Sequence, residues 1–194
     1  MITRIYCICL LCFCVNRSLR AEVTLPALFA DHMVVQRNTA IPVWGTADDQ
    51  EEVVVEFHTR KVVATADTSG AWRAELEPMR AGGPYTLIVR GKNRIELHDV
   101  LVGEVWLCSG QSNMERTFGS LDIVEQVKDS CAFPRLRMFT VARGTSDTPR
   151  SECGGTWKIS GPGTIEDLSA VAWYFGRFLR RKLDVPVGLI SSAW

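Results

Sequence analysis

The sequence predicts a β-sandwich-like domain over residues 22–99, followed by part of an α/β domain with a parallel sheet over residues 100–194. Three observations carry this. Before Asp99, short apolar and β-branched runs recur at close, even spacing between turn residues. After it, residues 100–108 stay apolar with few interruptions, as in a strand covered on both faces. Residues 167–182 then show the three-and-four spacing of an amphipathic helix, and an apolar strand follows at 187–190. Strands and helices alternating in this way mark a parallel sheet flanked by helices.

Residues 1–21 read as a secretory signal. Arg4 supplies the positive start, residues 5–15 the apolar run, and Ala21 the cleavage site. The run is too short for a stable membrane span. A buried N-terminal helix or strand is the other reading. Export to the periplasm or the extracellular space would remove Cys7, Cys9, Cys12 and Cys14 and leave Cys108, Cys131 and Cys153. An oxidising compartment permits a Cys131–Cys153 bridge, with one thiol left over. No Cys-x-x-Cys pair remains beyond the signal, so no metal site is expected.

In the β-rich part, strands are expected at 39–44, 52–58, 62–66, 72–76, 85–89 and 94–97. The breaks between them include Gly45-Thr46, Asp67-Thr68-Ser69-Gly70, Gly82-Gly83-Pro84 and Gly91-Lys92-Asn93. In the second part, 121–127 has a short helical pattern, 136–141 reads as a strand, and 154–163 reads as a loop around Trp157. Leu168, Val171, Ala172, Phe175 and Leu179 line one face of the main helix. Thr164 and Asp167 have the spacing of a capping box at its start. Arg180, Arg181 and Lys182 complement the dipole in its last turn, and Pro186 follows it.

Hydrophobic residues at 46% against 23% charged are enough for a sizeable core and argue against disorder. The formal net charge is zero and no basic stripe is visible, so nucleic acid is not an expected partner.

The segment that carries chemistry is Gly103-Glu104-Val105-Trp106-Leu107-Cys108-Ser109-Gly110-Gln111-Ser112-Asn113-Met114. A buried strand runs into small and polar residues. Gly110 permits a tight turn, and Ser112 then stands past the C-terminal edge of the sheet, where open α/β sheets place their ligands. Turn N–H groups, including that of Ser112, are suited to stabilise an oxyanion. A serine hydroxyl also needs a base within hydrogen-bond reach. The same residues also fit a plain strand-to-helix loop in which Ser112 or Asn113 caps the next helix. The second glycine of a Gly-x-Ser-x-Gly elbow is missing, which sets the segment apart from the ordinary α/β-hydrolases.

This block resembles the nucleophile block of the sialate O-acetylesterases, a branch of the SGNH hydrolases. Leu25-Pro26-Ala27-Leu28-Phe29-Ala30-Asp31-His32-Met33-Val34-Val35-Gln36-Arg37 is similar to the opening of their β-domain. The stretches 168–177 and 185–194 are similar to their helix and following strand. The resemblance implies a flavodoxin-like SGNH domain, of which 100–194 is the N-terminal half. It implies Ser112 as nucleophile with its N–H as an oxyanion donor, and Gly110, Gln111 and Asn113 as shapers of the turn. It also implies an O-acetylated carbohydrate as substrate and no cofactor.

In the family pattern a glycine pair, a Gln-Gly-Glu segment and an Asp-x-x-His pair come later than the match to Trp194. His32, His58 and His98 all lie in the β-rich part, as ordinary strand or turn residues, and nothing marks Asp99 or Glu104 as a triad acid. Little activity is therefore expected of the chain alone. An uncovered sheet edge at the last strand is expected to favour association.

Two other readings stand beside the esterase: a carbohydrate-binding protein that uses the β-rich part without catalysis, and a gene fragment without a stable function. Of Trp44, Trp72, Trp106, Trp157, Trp173 and Trp194, most are expected in the core, with Trp194 near the rim of the site. Asp48, Asp49, Glu51 and Glu52 lack the spacing of a calcium loop and read as a solvated turn.

Overall fold

The computed structural model describes residues 22–194, so the expected signal segment lies outside the described residues. The elements in order are β1 (Val34–Gln36), β2 (Ile41–Thr46), β3 (Glu52–Phe57), β4 (Arg60–Thr65), β5 (Ala71–Leu76), β6 (Gly82–Arg90) and β7 (Arg94–Gly110). Then follow α1 (Ser112–Glu115), α2 (Val124–Lys128), β8 (Phe133–Val141), β9 (Gly155–Ser160), α3 (Ala170–Leu183) and β10 (Val187–Ala193). They form one mixed eight-stranded sheet in the order β4-β3-β6-β7-β10-β8-β9, with β1 added beside β7, and a separate β2–β5 pair.

The strands alternate as half-buried strands should. Val53, Val55 and Phe57 of β3 point inward, as do Trp72, Ala74 and Leu76 of β5, with polar residues between them. The β2–β5 pair and the β3, β6 and lower β7 strands share one apolar core. A second core lies between β8, β10 and α3 and takes in Phe118, Ile165, Leu168 and Trp173.

The pivotal element is β7. The runs 94–97 and 100–108 are not two strands but one of 17 residues, bent at Asp99, whose φ is 55°. Its lower half pairs antiparallel with β6, and its upper half pairs parallel with β10 from Glu104 to Gly110. The change of pattern at Asp99 thus falls inside a continuous strand. Gly103 marks the point where β10 joins. A Cβ there would lie 2.1 Å from the Pro186 carbonyl oxygen, so no larger residue fits without moving backbone.

Three sequence expectations need correction. Residues 154–163 are not a loop, because Gly155–Ser160 pairs antiparallel with β8. That strand buries Trp157, whose Nε1 donates to Leu28 O at 2.8 Å. The main helix starts at Ala170, not Asp167. Its cap is Ser169, whose Oγ accepts from Ala172 N–H at 3.3 Å. Thr164 instead donates back to carbonyls, among them Gly161 O at 3.2 Å. Cys131 is buried and Cys153 exposed, and both are free thiols, so the bridge does not form.

A fourth correction concerns the sheet edge. The last strand, β10, is interior, pairing parallel with β7 on one side and β8 on the other. The open edge lies on upper β7 instead. Among the described residues no helix is long and apolar enough to cross a membrane.

Candidate active site

Strands β7, β10 and β8 run parallel, so their C-terminal ends at Gly110, Ala193 and Val141 lie together. Side chains at this end line the ligand side of an open parallel sheet. Ser112 sits here. Gly110 leaves the strand with φ of 150°, a conformation that side chains disfavour, and Ser112 opens the single-turn helix α1 immediately after. The Gln111 carbonyl accepts from Met114 N–H at 2.8 Å and Glu115 N–H at 3.1 Å, which closes the turn.

The turn is held from outside. Ser169 Oγ donates to Met114 O at 2.6 Å, Ala170 N–H donates to Arg116 O at 3.0 Å, and Phe118 N–H donates to Leu168 O at 3.1 Å. The N-terminus of α3 therefore fixes the turn that carries Ser112, and buried Phe118, edge-on to Trp173 at 5.3 Å, anchors the chain beyond it.

Gln111, Ser112 and Asn113 are exposed. Among the described residues no group hydrogen-bonds the Ser112 hydroxyl, and the N–H groups of Ser112 and Asn113 find no backbone acceptor. These are the unpaired donors of a helix start. An exposed hydroxyl beside free N–H groups can accept an ester carbonyl and hold its developing charge. Neither Ser112 nor Asn113 acts as a side-chain cap: the capping position is Gln111, and its side chain makes no capping bond. The neighbouring Cys108 does not compete as nucleophile, because burial pushes its thiol up.

A cleft of about 180 Å³ beside α1 is lined by Glu115, Thr140, Arg143, Asp167, Ser169 and Ser191, among others. Arg143 pairs with Glu115. Sequence reasoning singled out neither of that pair. The only available signal was the position of Arg143 just past the C-terminal end of β8. Trp194 is exposed and lines an adjoining cavity of about 150 Å³ together with Arg143 and Ser192.

The three histidines lie at the other end of the sheet. His98 is on lower β7, and its O accepts from His32 N–H at 3.1 Å. His58 follows Phe57, which pairs through Leu87 to the level of Leu97. From His98 to Gly110 the strand rises roughly 30–40 Å. None of these imidazoles reaches Ser112. His32 Nδ1 is instead 2.7 Å from Asp99 Oδ2. Asp99 also meets Arg137, and Glu104 meets Arg37 at 2.7 Å, so both carboxylates considered near the block serve structural pairs. Trp72, Trp157 and Trp173 are buried, while Trp106 and Trp194 are exposed. Glu51 is buried and its carboxylate accepts from Asp48 N–H at 3.0 Å and Lys92 N–H at 2.6 Å, which organises the acidic turn. Among the described residues no cluster of three or more metal-ligating side chains forms.

The chain is 31% identical to the sialate O-acetylesterase of Mus musculus over 93% of its own length, and to that of Homo sapiens over 84%. By sequence it belongs with the sialate O-acetylesterases. It spans only 37% of the mouse sialate O-acetylesterase and 35% of the human one. The crystal structure of XAC1771, a carbohydrate acetylesterase from Xanthomonas citri, superposes with a TM-score of 0.85 at 36% identity, covering 89% of this chain and 40% of that one. The mixed sheet with few helices is thus similar to that of a carbohydrate acetylesterase. No family model matches the chain.

Proposed function

We propose that this sialate O-acetylesterase-type chain supplies the nucleophile and one oxyanion donor of a serine esterase acting on O-acetylated carbohydrates. On this reading β2–β6 with lower β7 form a sandwich-like N-terminal domain, and upper β7 to β10 form the first half of an SGNH-type α/β domain. Export to the periplasm or the extracellular space through the 1–21 segment belongs to the same proposal.

The observation that carries it is the Ser112 hydroxyl, exposed and unpartnered, beside free N–H groups at the C-terminal end of a parallel strand. Ser112 Oγ attacks the acetyl carbonyl while a base takes its proton. The Ser112 N–H stabilises the oxyanion. The sugar alcohol leaves with that proton, and water then releases acetate from the acetyl-serine. The base is an imidazole from outside the described residues, since no described histidine is in reach.

The test is a hybrid in which residues 22–194 replace the matching stretch of the Xanthomonas citri acetylesterase. The expected result is hydrolysis of an O-acetylated sugar that Ser112→Ala lowers by about a millionfold while Ser109→Ala leaves it largely intact. A folded hybrid whose turnover survives Ser112→Ala would refute the assignment. The isolated chain should hardly hydrolyse p-nitrophenyl acetate.

A further inference from the structure

The turn that carries Ser112 has little packing of its own. Helix α1 buries no residue, Gln111, Ser112 and Asn113 are exposed, and only Met114 leans partly into the second core. A four-residue helix also closes too few bonds to hold its shape unaided. Its place must come from polar contacts with other elements.

Those contacts differ in strength. Glu115 meets Arg143, but the two side chains are 30% and 63% exposed, and surface pairs of this kind are worth little. Ser169 is 3% exposed, and its hydroxyl is engaged both as donor and as acceptor. Its proton goes to Met114 O at 2.6 Å, and its oxygen accepts from Ala172 N–H at 3.3 Å. The hydroxyl therefore has one orientation, and at this burial water does not readily replace it. Beside it, Ala170 N–H donates to Arg116 O at 3.0 Å, and Arg116 N–H donates to Ser112 O at 3.1 Å. A short chain of hydrogen bonds thus links the start of α3 to the backbone of Ser112.

Helix α3 is a firm support for this contact. Trp173 is fully buried, and its Nε1 donates to Ser160 Oγ of β9 at 2.7 Å. Gly176 lies so close to β8 and β10 that a Cβ there would come within 2.7 Å of the Leu136 and Leu189 side chains. Position therefore passes from the sheet to α3, from Ser169 to Met114 O, and along one turn to Ser112. The other hold on Ser112 is the chain itself, through Gly110 at the end of β7.

We propose that Ser169 is a positioning residue for Ser112: its hydroxyl, given to Met114 O, holds the α1 turn where the serine oxygen and the free N–H groups face one acyl group together. Ser169 acts through the backbone of the turn and not on the acetyl group. The role rests on the esterase reading. Displacing a reacting atom by about 1 Å costs on the order of a hundredfold in rate, so losing this hydroxyl should slow turnover and leave sugar binding unchanged.

Two substitutions separate this role from the capping of α3. Ser169→Ala removes both bonds. Ser169→Gly also removes the donor to Met114 O, but glycine at a helix start costs the helix only a small part of what alanine does. In the Xanthomonas hybrid, both should lower kcat on an O-acetylated sugar by at least about tenfold and move KM by less than about twofold. Val127→Ala trims a buried residue of the same core on α2, controls for lost stability, and should keep kcat within about twofold. An unchanged kcat in either Ser169 variant overturns the proposal. So does a change in KM alone, or an equal fall of kcat in Val127→Ala.

Ser112→Ala in the same hybrid keeps the two readings apart. If it silences the hybrid while the Ser169 variants turn over normally, the positioning role fails and the esterase stands. If it leaves turnover intact, both fall. If the hybrid is inactive or unfolded, the chain itself answers through amide exchange at Glu115 and Arg116, whose N–H groups close the turn. Exchange at least about tenfold faster in Ser169→Gly, with no such change in Val127→Ala, supports the proposal. Similar rates in the two variants overturn it.

Discussion

Replacing Asp99 by Asn tests how the bend in β7 is held. Arg137 on β8 is 3% exposed, and its guanidinium donates to Asp99 Oδ1 at 2.8 Å, His32 O at 2.9 Å and Pro134 O at 3.2 Å, and also to Asp99 O. One side chain thus ties β8, the turn before β1 and the kink of β7 together. Among the described residues, only Asp99 neutralises it at close range. Burial opposes ionisation of Asp99, but hydrogen bonds from Arg137 and His32, together with their charges, outweigh it and hold the carboxyl below its usual 3.8.

Asn keeps an acceptor oxygen and tolerates the positive φ, so the substitution mainly removes charge. Stranding one member of a buried pair costs about 3–5 kcal/mol. The Asp99 side chain is 32% exposed and Asn retains one bond, which together reduce the expected loss to about 2 kcal/mol. Urea unfolding followed by tryptophan fluorescence measures it as a lower midpoint at unchanged slope.

The sign with pH follows from the lowered value. Wild-type stability from this group is complete above 3.8 and is lost as pH falls through the still lower folded value. The gap between wild type and Asp99→Asn should therefore close in acid. Glu75→Gln, in the exposed pair with Arg73, is the control and should cost under about 0.5 kcal/mol. A loss for Asp99→Asn no larger than the control, or a gap that widens in acid, would refute the reasoning.

Three further outcomes are expected. Ser169→Ala removes both the α3 cap and the bond to Met114 O and should cost about 1–2 kcal/mol in urea unfolding, with faster amide exchange across residues 112–116. Gly103→Ala drives a methyl against the Pro186 carbonyl and should cost about 3 kcal/mol, read as a lower midpoint in thermal unfolding. Ser112→Ala should change the stability of the chain by less than about 0.5 kcal/mol, because the hydroxyl is exposed and unpartnered.

Much of the strand content was legible because it rests on local alternation and turn residues. Strands β2 to β6 lie close to the expected runs. Strand β9 was not legible. Gly155 and the polar residues around Trp157 look like a loop, and only pairing with β8 makes them a strand. The capping box failed for a related reason. Thr164 and Asp167 have the right spacing, but they belong to a separate turn at Ile165–Asp167, and the chain enters α3 only at Ser169. At the candidate site, the turn glycine and the serine beyond it could be read from neighbouring residues. Arg143 and Ser169 could not, because they meet Ser112's turn from other elements, and Glu115, on that turn, gains its role only by pairing with Arg143.

By itself the sequence determined a β-rich first part, an apolar strand running into Gly110-Gln111-Ser112, and a helix-to-strand pair after it, because each of these rests on patterns within about ten residues. Only the tertiary structure decided that β7 is one bent strand shared by both parts, that β10 is interior, and that the open edge lies beside Ser112. Strand order depends on partners tens of residues away in the chain, and that long-range pairing leaves no trace in local periodicity.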